Sequence, residues 1–523
     1  MWQYDKLGCH MKTAGFGKWR SFFFPIHRSE LKKFLPMFFI FFLIAFNYNV
    51  LRSYKDTIVV TASNSGAETI PFIKLWAVLP SAILFTLLFT RLSNYFTREK
   101  VFYITISIFL VFFFLFAFVL YPAQEYLHPN QLADRLQEIL PAGFRGFIAI
   151  FRNWTFTLFY VMSELWSTAI FTVLYWGFAN EVTTVPEAKR FYGLLTFGGS
   201  IAGLFSGFAA IHFSSNLYIP WIPYGKSSWD QSIFFLCCTI ILCGLLTMAI
   251  FRWLNVHVIH PSEKHSPPRE KIKMSMRANF AYLARSKYLI CIALIVFAYN
   301  VAINLIEVVW KDQIRALYPD PNDYNVYMGE VIMAMAIIAS LTGLLTTSKV
   351  IQKFSWTACA LIPPIIVATS GVLFFHFILF PNHGLNWILG MLSMSPLALC
   401  VTLGAIQNCM SRASKYTFFD ATKEIAFIPL SNESKLKGKA AIDGVGSRLG
   451  KSGGSVIHQG LILVFASVSA SIPYVAAIFV VVIVIWALSA ISLGKQFDQL
   501  IAQKEKLDIP DEKPELVTAK EST

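Results

Sequence analysis

The chain has 523 residues, of which 56% are hydrophobic and only 14% charged, with 49 Phe and a formal net charge of +14. Such a composition, with positive mean hydropathy, excludes a large soluble enzyme and describes a polytopic membrane protein. The basic excess does not imply nucleic-acid binding, because the charge follows the loops in register with the apolar segments.

Residues 1–33 form a basic arm with Arg20, Arg28, Lys32 and Lys33, and lack the small-residue cleavage pattern of a secretory signal. An N-terminal six-helix bundle is expected over 34–252, from apolar segments at roughly 34–51, 70–90, 101–121, 146–166, 191–212 and 232–252. A basic cytoplasmic linker, 253–286, contains HPSEKHSPPREK. A second six-helix bundle is expected over 287–493, from segments at roughly 287–309, 329–348, 357–379, 386–408, 452–470 and 472–493. Each segment has about 17 to 23 residues, enough to cross roughly 30 Å of hydrocarbon as a helix. The fold class expected is therefore an all-α polytopic membrane protein with about twelve transmembrane helices in two halves. Residues 494–523 are expected to be a disordered cytoplasmic tail.

Loop charge orients the chain. Arg91, Arg98 and Lys100 follow the second span, whereas Glu125, Asp134 and Glu138 lie between the third and fourth. The positive-inside rule places the basic loops and both termini in the cytoplasm. The eight cysteines show no metal or redox spacing and read as small apolar fillers.

Three polar features interrupt this pattern. In YNVLRSYKDTIVV, Tyr48, Arg52 and Lys55 recur at helical spacing, as do Asn300, Asn304, Glu307 and Lys311 in the seventh span. Arg52 and Lys55 satisfy either a polar cavity or snorkelling to the membrane interface. Glu164 is the only charge in TFTLFYVMSELWSTAIFTVLYWGF, so it must face the bundle interior, pair or stay protonated. A structural ion pair and a place on a substrate path both meet that requirement. The third feature, GSRLGKSGG, carries Arg448 and Lys451. It is no Walker A loop: that motif leaves four residues between its glycines, whereas five separate Gly444 from Gly450. Its glycines instead suit close helix packing. Several inward cations with a few carboxylates suit a polyanionic substrate, whose phosphate oxygens guanidinium and ammonium groups grip.

Weak internal repetition supports two halves: Tyr48-Asn49-Val50 has its counterpart in Tyr299-Asn300-Val301, and Lys55-Asp56 in Lys311-Asp312. Two facing bundles would work by alternating access. No repeated carbonyl filter or ring of charge favours a channel.

Taken together, NYNVLRSYKDTIVVTA, SGAETIPFIKLW, LPAGFRGFIAIFRNWTFTLFYVMSELW, YWGFANE, INLIEVVWKDQ, SKYTFFDATKEIAFIPL and KGKAAIDGVGSRLGKSGG resemble the ADP,ATP carrier family of obligate intracellular bacteria and plant plastids. The resemblance covers nearly the whole chain. It implies a fold like that of the major facilitator superfamily, in a bacterial inner membrane, exchanging external ATP for internal ADP without catalysis, metal or cofactor. Net import of nucleotides with protons is the alternative it leaves open. It also implies that Lys55, Glu164, Glu307 and Lys451 serve transport, with Lys439 a nearby candidate for the last role; Tyr48, Arg52, Asn304 and Arg448 complete the expected substrate site. One departure is RSYKD, in which Ser53 and Tyr54 stand where similar members carry Asp-Thr.

Overall fold

A computed structural model describes residues 24–215, 218–259, 286–381, 393–430 and 447–508, with single residues 438 and 442 between. The first long helix, α1, covers Leu31–Val60. It runs through Arg52, Lys55 and Asp56 without a break, so these charges belong to the helix and not to a turn after it. Thr57 and Thr61 each return their hydroxyl to the carbonyl four residues back, at 3.1 and 2.7 Å, which satisfies both hydroxyls inside an apolar span.

The next long helices are α2 (Thr69–Tyr95), α3 (Arg98–Leu120), α4 (Trp154–Val182), α5 (Val185–Phe213), α6 (Ser228–His257) and α7 (Lys287–Leu317). They are followed by α8 (Pro321–Lys353), α9 (Trp356–Leu379), α10 (Pro396–Ser414), α11 (Ser447–Phe465) and α12 (Val468–Asp508). Among the described residues, ten helices are long and apolar enough to cross a membrane. Starts are set by side chains that take up unpaired N–H groups: Thr184 with Glu187 and Ser227 with Asp230 form capping boxes, and Ser355 and Ser395 cap α9 and α10.

Several boundaries differ from the sequence expectation. The span expected at 146–166 is broken at Asn153, because Arg152 turns to pair with Asp134 and Asn153 donates to the Ser63 carbonyl at 3.3 Å. Residues 494–508, expected in a disordered tail, continue α12 instead. They are tied down by Trp356 stacked on Phe497 at 5.4 Å and by Gln496 bonded to Ser492 and Cys291. Helix α6 runs to His257, five residues into the expected linker, whose residues 260–285 lie outside the described ones. Part of the span expected at 386–408 also lies outside them, and α10 covers it from Pro396 onward.

Among the described residues, four continuous helical stretches have widened turns, three of them in α2, α3 and α4. The longest is Ser167–Tyr175 in α4, where the Thr172 hydroxyl bonds the Ser167 carbonyl five residues back at 3.1 Å.

The chain packs as two compact units. The first holds α1–α6 with residues 311–340 and 462–467. Its apolar spans are glued by side chains donating to carbonyls of other helices: Asn47 to Ile240 at 3.0 Å, Trp166 to Ile44 at 3.3 Å and Tyr175 to Met37 at 3.0 Å. Asn325 accepts from Ser53 at 2.6 Å and donates to Ser214 at 2.7 Å, and Ser214 also meets the Tyr54 hydroxyl at 3.2 Å. This neutral, buried network joins α1, the end of α5 and the start of α8. Ion pairs Lys33–Glu187, Arg190–Glu30 and Arg98–Glu181 fasten helix ends in the same unit. The second unit has its own core, in which Tyr299, Phe419 and Trp486 cluster and the Trp310 indole donates to the Val401 carbonyl at 2.9 Å.

Helices α5 and α8 approach closely at Gly207 and Gly329. A Cβ on Gly207 would meet Met333 and lie 2.6 Å from the Gly329 carbonyl oxygen, whereas one on Gly193 of the same helix would meet nothing within 4 Å. Gly207→Ala is therefore expected to destabilise the protein by about 1–3 kcal/mol through overpacking. Gly193→Ala should be neutral or mildly stabilising. Thermal unfolding of the two purified variants in detergent checks the contrast; equal midpoints would contradict the close packing.

Candidate functional site

Asp56 is the centre of the charged cluster in the first unit. One carboxylate oxygen lies 3.0 Å from Lys55 Nζ, and the other lies 2.8 Å from Lys311 Nζ. Lys55 also lies 2.9 Å from Glu164 Oε1, and its ammonium sits 4.0 Å from the centre of the Tyr160 ring. Among the described residues, two ammonium groups and two carboxylates thus come together from α1, α4 and α7.

Burial makes this arrangement necessary. The side chains of Lys55, Asp56 and Lys311 are 7%, 1% and 1% exposed, whereas Glu164 is 31% exposed. A charge in a low-dielectric interior is tolerated when paired and hydrogen-bonded, and the aromatic face of Tyr160 adds attraction for the Lys55 cation. The partial exposure of Glu164 makes it the most accessible of the four groups to solvent.

The residues singled out in the sequence fall as follows. Lys55 and Glu164 are brought into direct contact. Tyr48 is half-buried on the same helix with its ring 6.0 Å from that of Phe171, and the half-buried Arg52 points a guanidinium nitrogen at Met335 Sδ, 3.7 Å away. In the second unit Glu307 is half-buried on α7. Asn304 is 4% exposed, and its Oδ1 has no hydrogen-bond partner among the described residues. Its side chain lies against Gly454, where an added Cβ would be 2.7 Å from Asn304 Cβ, so only glycine lets α11 pass. Arg448 and Lys451 lie on α11, but their side chains are outside the described residues, as is Lys439.

Asp56 and Lys311 were not among the expected site residues, although both belong to the repeated Lys-Asp pair visible in the sequence. Tyr160 belongs to the same cluster and is fully buried. Ser53 and Tyr54, the departure in RSYKD, lie in the neutral Asn325 network, and Tyr54 stacks on Trp229 at 5.6 Å with a 10° tilt. Chemically, the cluster offers two ammonium groups to an anion and two carboxylates to hold those ammonium groups when the anion is absent.

Residues 9–497 match the family described as TLC ATP/ADP transporter. The chain is 46% identical over 496 residues to ADP,ATP carrier protein 1 of Chlamydia trachomatis serovar D, covering 94% of this chain and 93% of that protein. It is 42% identical over 482 residues to the chloroplastic ADP,ATP carrier protein 1 of Arabidopsis thaliana, covering 92% of this chain and 76% of that one. Among solved structures it is similar to a POT family transporter, with a TM-score of 0.54 at 9% identity, covering 88% of this chain and 96% of that one. The nucleoside transporter NupG gives 0.51 at 12%, covering 90% and 99%. These likenesses show the fold of major facilitator transporters.

Asp56→Asn leaves two buried ammonium groups without their shared counter-charge. The expected loss of stability is about 3–5 kcal/mol, the range for breaking a buried pair. Removing Lys311 as well, in Asp56→Asn/Lys311→Gln, should restore part of it. Thermal unfolding of the single and double variants measures this; losses that simply add would mean that the two groups act independently.

Proposed function

The chain belongs to the TLC ATP/ADP transporter family, and on that premise we propose that it exchanges external ATP for internal ADP by alternating access. It is a membrane nucleotide transporter and not an enzyme: the nucleotide is moved and no bond in it is broken. Exchange needs a site that holds a polyanion in transit and stays electrically tolerable when empty.

One observation carries the reading: Lys55 is bonded to two carboxylates at 3.0 and 2.9 Å while its partner carboxylate Asp56 is shared with Lys311. Arriving phosphate oxygens compete with Asp56 and Glu164 for the same ammonium groups. Substrate binding thus replaces internal ion pairs by ion pairs to phosphate, and departure restores the internal ones. Arg52 and Tyr48, both half-buried on α1, are assigned to the phosphates and to the base in turn. Glu307, Asn304, Arg448 and Lys451 are assigned as further substrate-binding residues. Twelve spans, in one bundle of α1–α6 and another of α7–α12, and both termini on the cytoplasmic side of a bacterial inner membrane complete the proposal, supported by the distribution of basic loops.

A second reading, net nucleotide import with protons, is favoured by the partial exposure of Glu164. A carboxylate reachable from solvent can take a proton, release Lys55 and so couple protonation to anion binding.

The deciding experiment is uptake of labelled ATP into proteoliposomes preloaded with ADP, with GTP or UTP, or with no nucleotide, each with and without a pH gradient. Strict dependence on internal ADP, indifferent to the gradient, is the outcome expected for exchange; gradient-driven uptake into empty vesicles would replace it by proton coupling. Lys55→Gln should lower uptake of di- and triphosphates about tenfold or more, as expected for a charge-assisted bond of ~1.5–3 kcal/mol. Unchanged transport by a variant that is present in the membrane would remove Lys55 from the site. Glu164→Gln should keep exchange measurable while abolishing any pH-driven accumulation, and loss of both together would mark a structural role.

A further inference from the structure

A second site lies far along α1 from the charged cluster, where α1 and the end of α6 leave a groove of about 570 Å³. Its walls are Leu35, Pro36 and Phe39 from α1 with Ile250 and Trp253 from α6, and Lys32 stands at its rim. Leu35, Phe39 and Trp253 are 43%, 51% and 46% exposed, so the groove opens outward to the hydrocarbon of the bilayer.

Charge selects what fits. Arg28 lies one turn before Lys32, on the face that continues through Leu35, Pro36 and Phe39, and both cations are exposed. Neither makes an ion pair among the described residues, whereas Glu30, the carboxylate in the same turn, is taken by Arg190, and Lys33 by Glu187. His257 stacks on Trp253 at 5.7 Å and borders the same end. The result is an apolar slot with a cationic end at the polar edge of a span, and a tryptophan at the level where indoles favour the interface.

We propose that this groove binds an anionic glycerophospholipid of the leaflet that faces Arg28. One acyl chain lies along Leu35, Phe39 and Ile250, and the phosphodiester lies against Lys32 and Arg28. A zwitterionic lipid supplies the same chain but no net charge for the two cations to hold. The site is distinct from the charged cluster, with which it shares no lining residue.

The test uses the purified full-length transporter in detergent, titrated with phosphatidylglycerol or phosphatidylcholine and read by native mass spectrometry. Wild type should retain phosphatidylglycerol roughly thirtyfold more tightly than phosphatidylcholine, about fivefold for each surface cation. Arg28→Gln/Lys32→Gln should erase that preference while remaining folded, since both side chains are exposed. Leu35→Trp, which fills the slot, should weaken both lipids, and Lys226→Gln, an exposed lysine just before α6, should change nothing. Equal retention of the two lipids by wild type would overturn the proposal, as would displacement of phosphatidylglycerol by soluble glycerol phosphate. A photo-reactive residue in place of Leu35 should capture lipid; capture of residues 1–23 or of a second copy would equally overturn it.

Discussion

The bond between Asp56 and two lysines governs the interior of the first unit. Lys55 and Lys311 are both nearly inaccessible, and each needs a counter-charge because an isolated ammonium in a low-dielectric interior would lose its proton or unfold its surroundings. A single carboxylate with two oxygens serves both, one at 3.0 Å and the other at 2.8 Å. That requirement fixes the depth and rotation of α1 relative to residues 311–340. Glu164 enters from α4 as a second carboxylate on Lys55, at 2.9 Å.

Around this polar centre the membrane-facing helices rely on contacts that do not depend on the hydrophobic effect, since lipid tails are as apolar as leucine. Close glycine contact between α5 and α8, indole and amide donors to carbonyls of other helices, and the Asn325 network supply the cohesion. These interactions are short-ranged and directional. They hold a defined geometry at the cluster where apolar contact alone would allow sliding.

Much of the fold was legible because a long apolar run has few alternatives in a membrane, and Glu164 stood out as a lone charge within one. Its bond to Lys55 was not legible: the two residues lie far apart in the chain, and nothing in periodicity ties α1 to α4. Asp56 was passed over for a different reason. Successive residues on a helix point in different directions, so Lys55 and Asp56 do not read as partners. The flexible lysine stem bridges that angle and brings Nζ to the neighbouring carboxylate. The break at Asn153 was hidden because Arg152 finds its partner, Asp134, in a polar segment outside the span pattern. The helical course of 494–508 was hidden too, since tertiary contacts of Gln496 and Phe497 outweigh a hydrophilic composition.

The widened turns of α4 begin three residues beyond Glu164 and extend to Tyr175. In mechanical terms such a stretch is a compliant segment in series with two stiff ones. A wide turn contains one surplus residue, and moving that surplus along the helix rotates one end against the other while breaking few backbone bonds at a time. Torsion applied at the Trp176 end would meet this compliant stretch before the carboxylate. By its geometry α4 is thus less a rod than a shaft with a coupling set between Glu164 and Trp176.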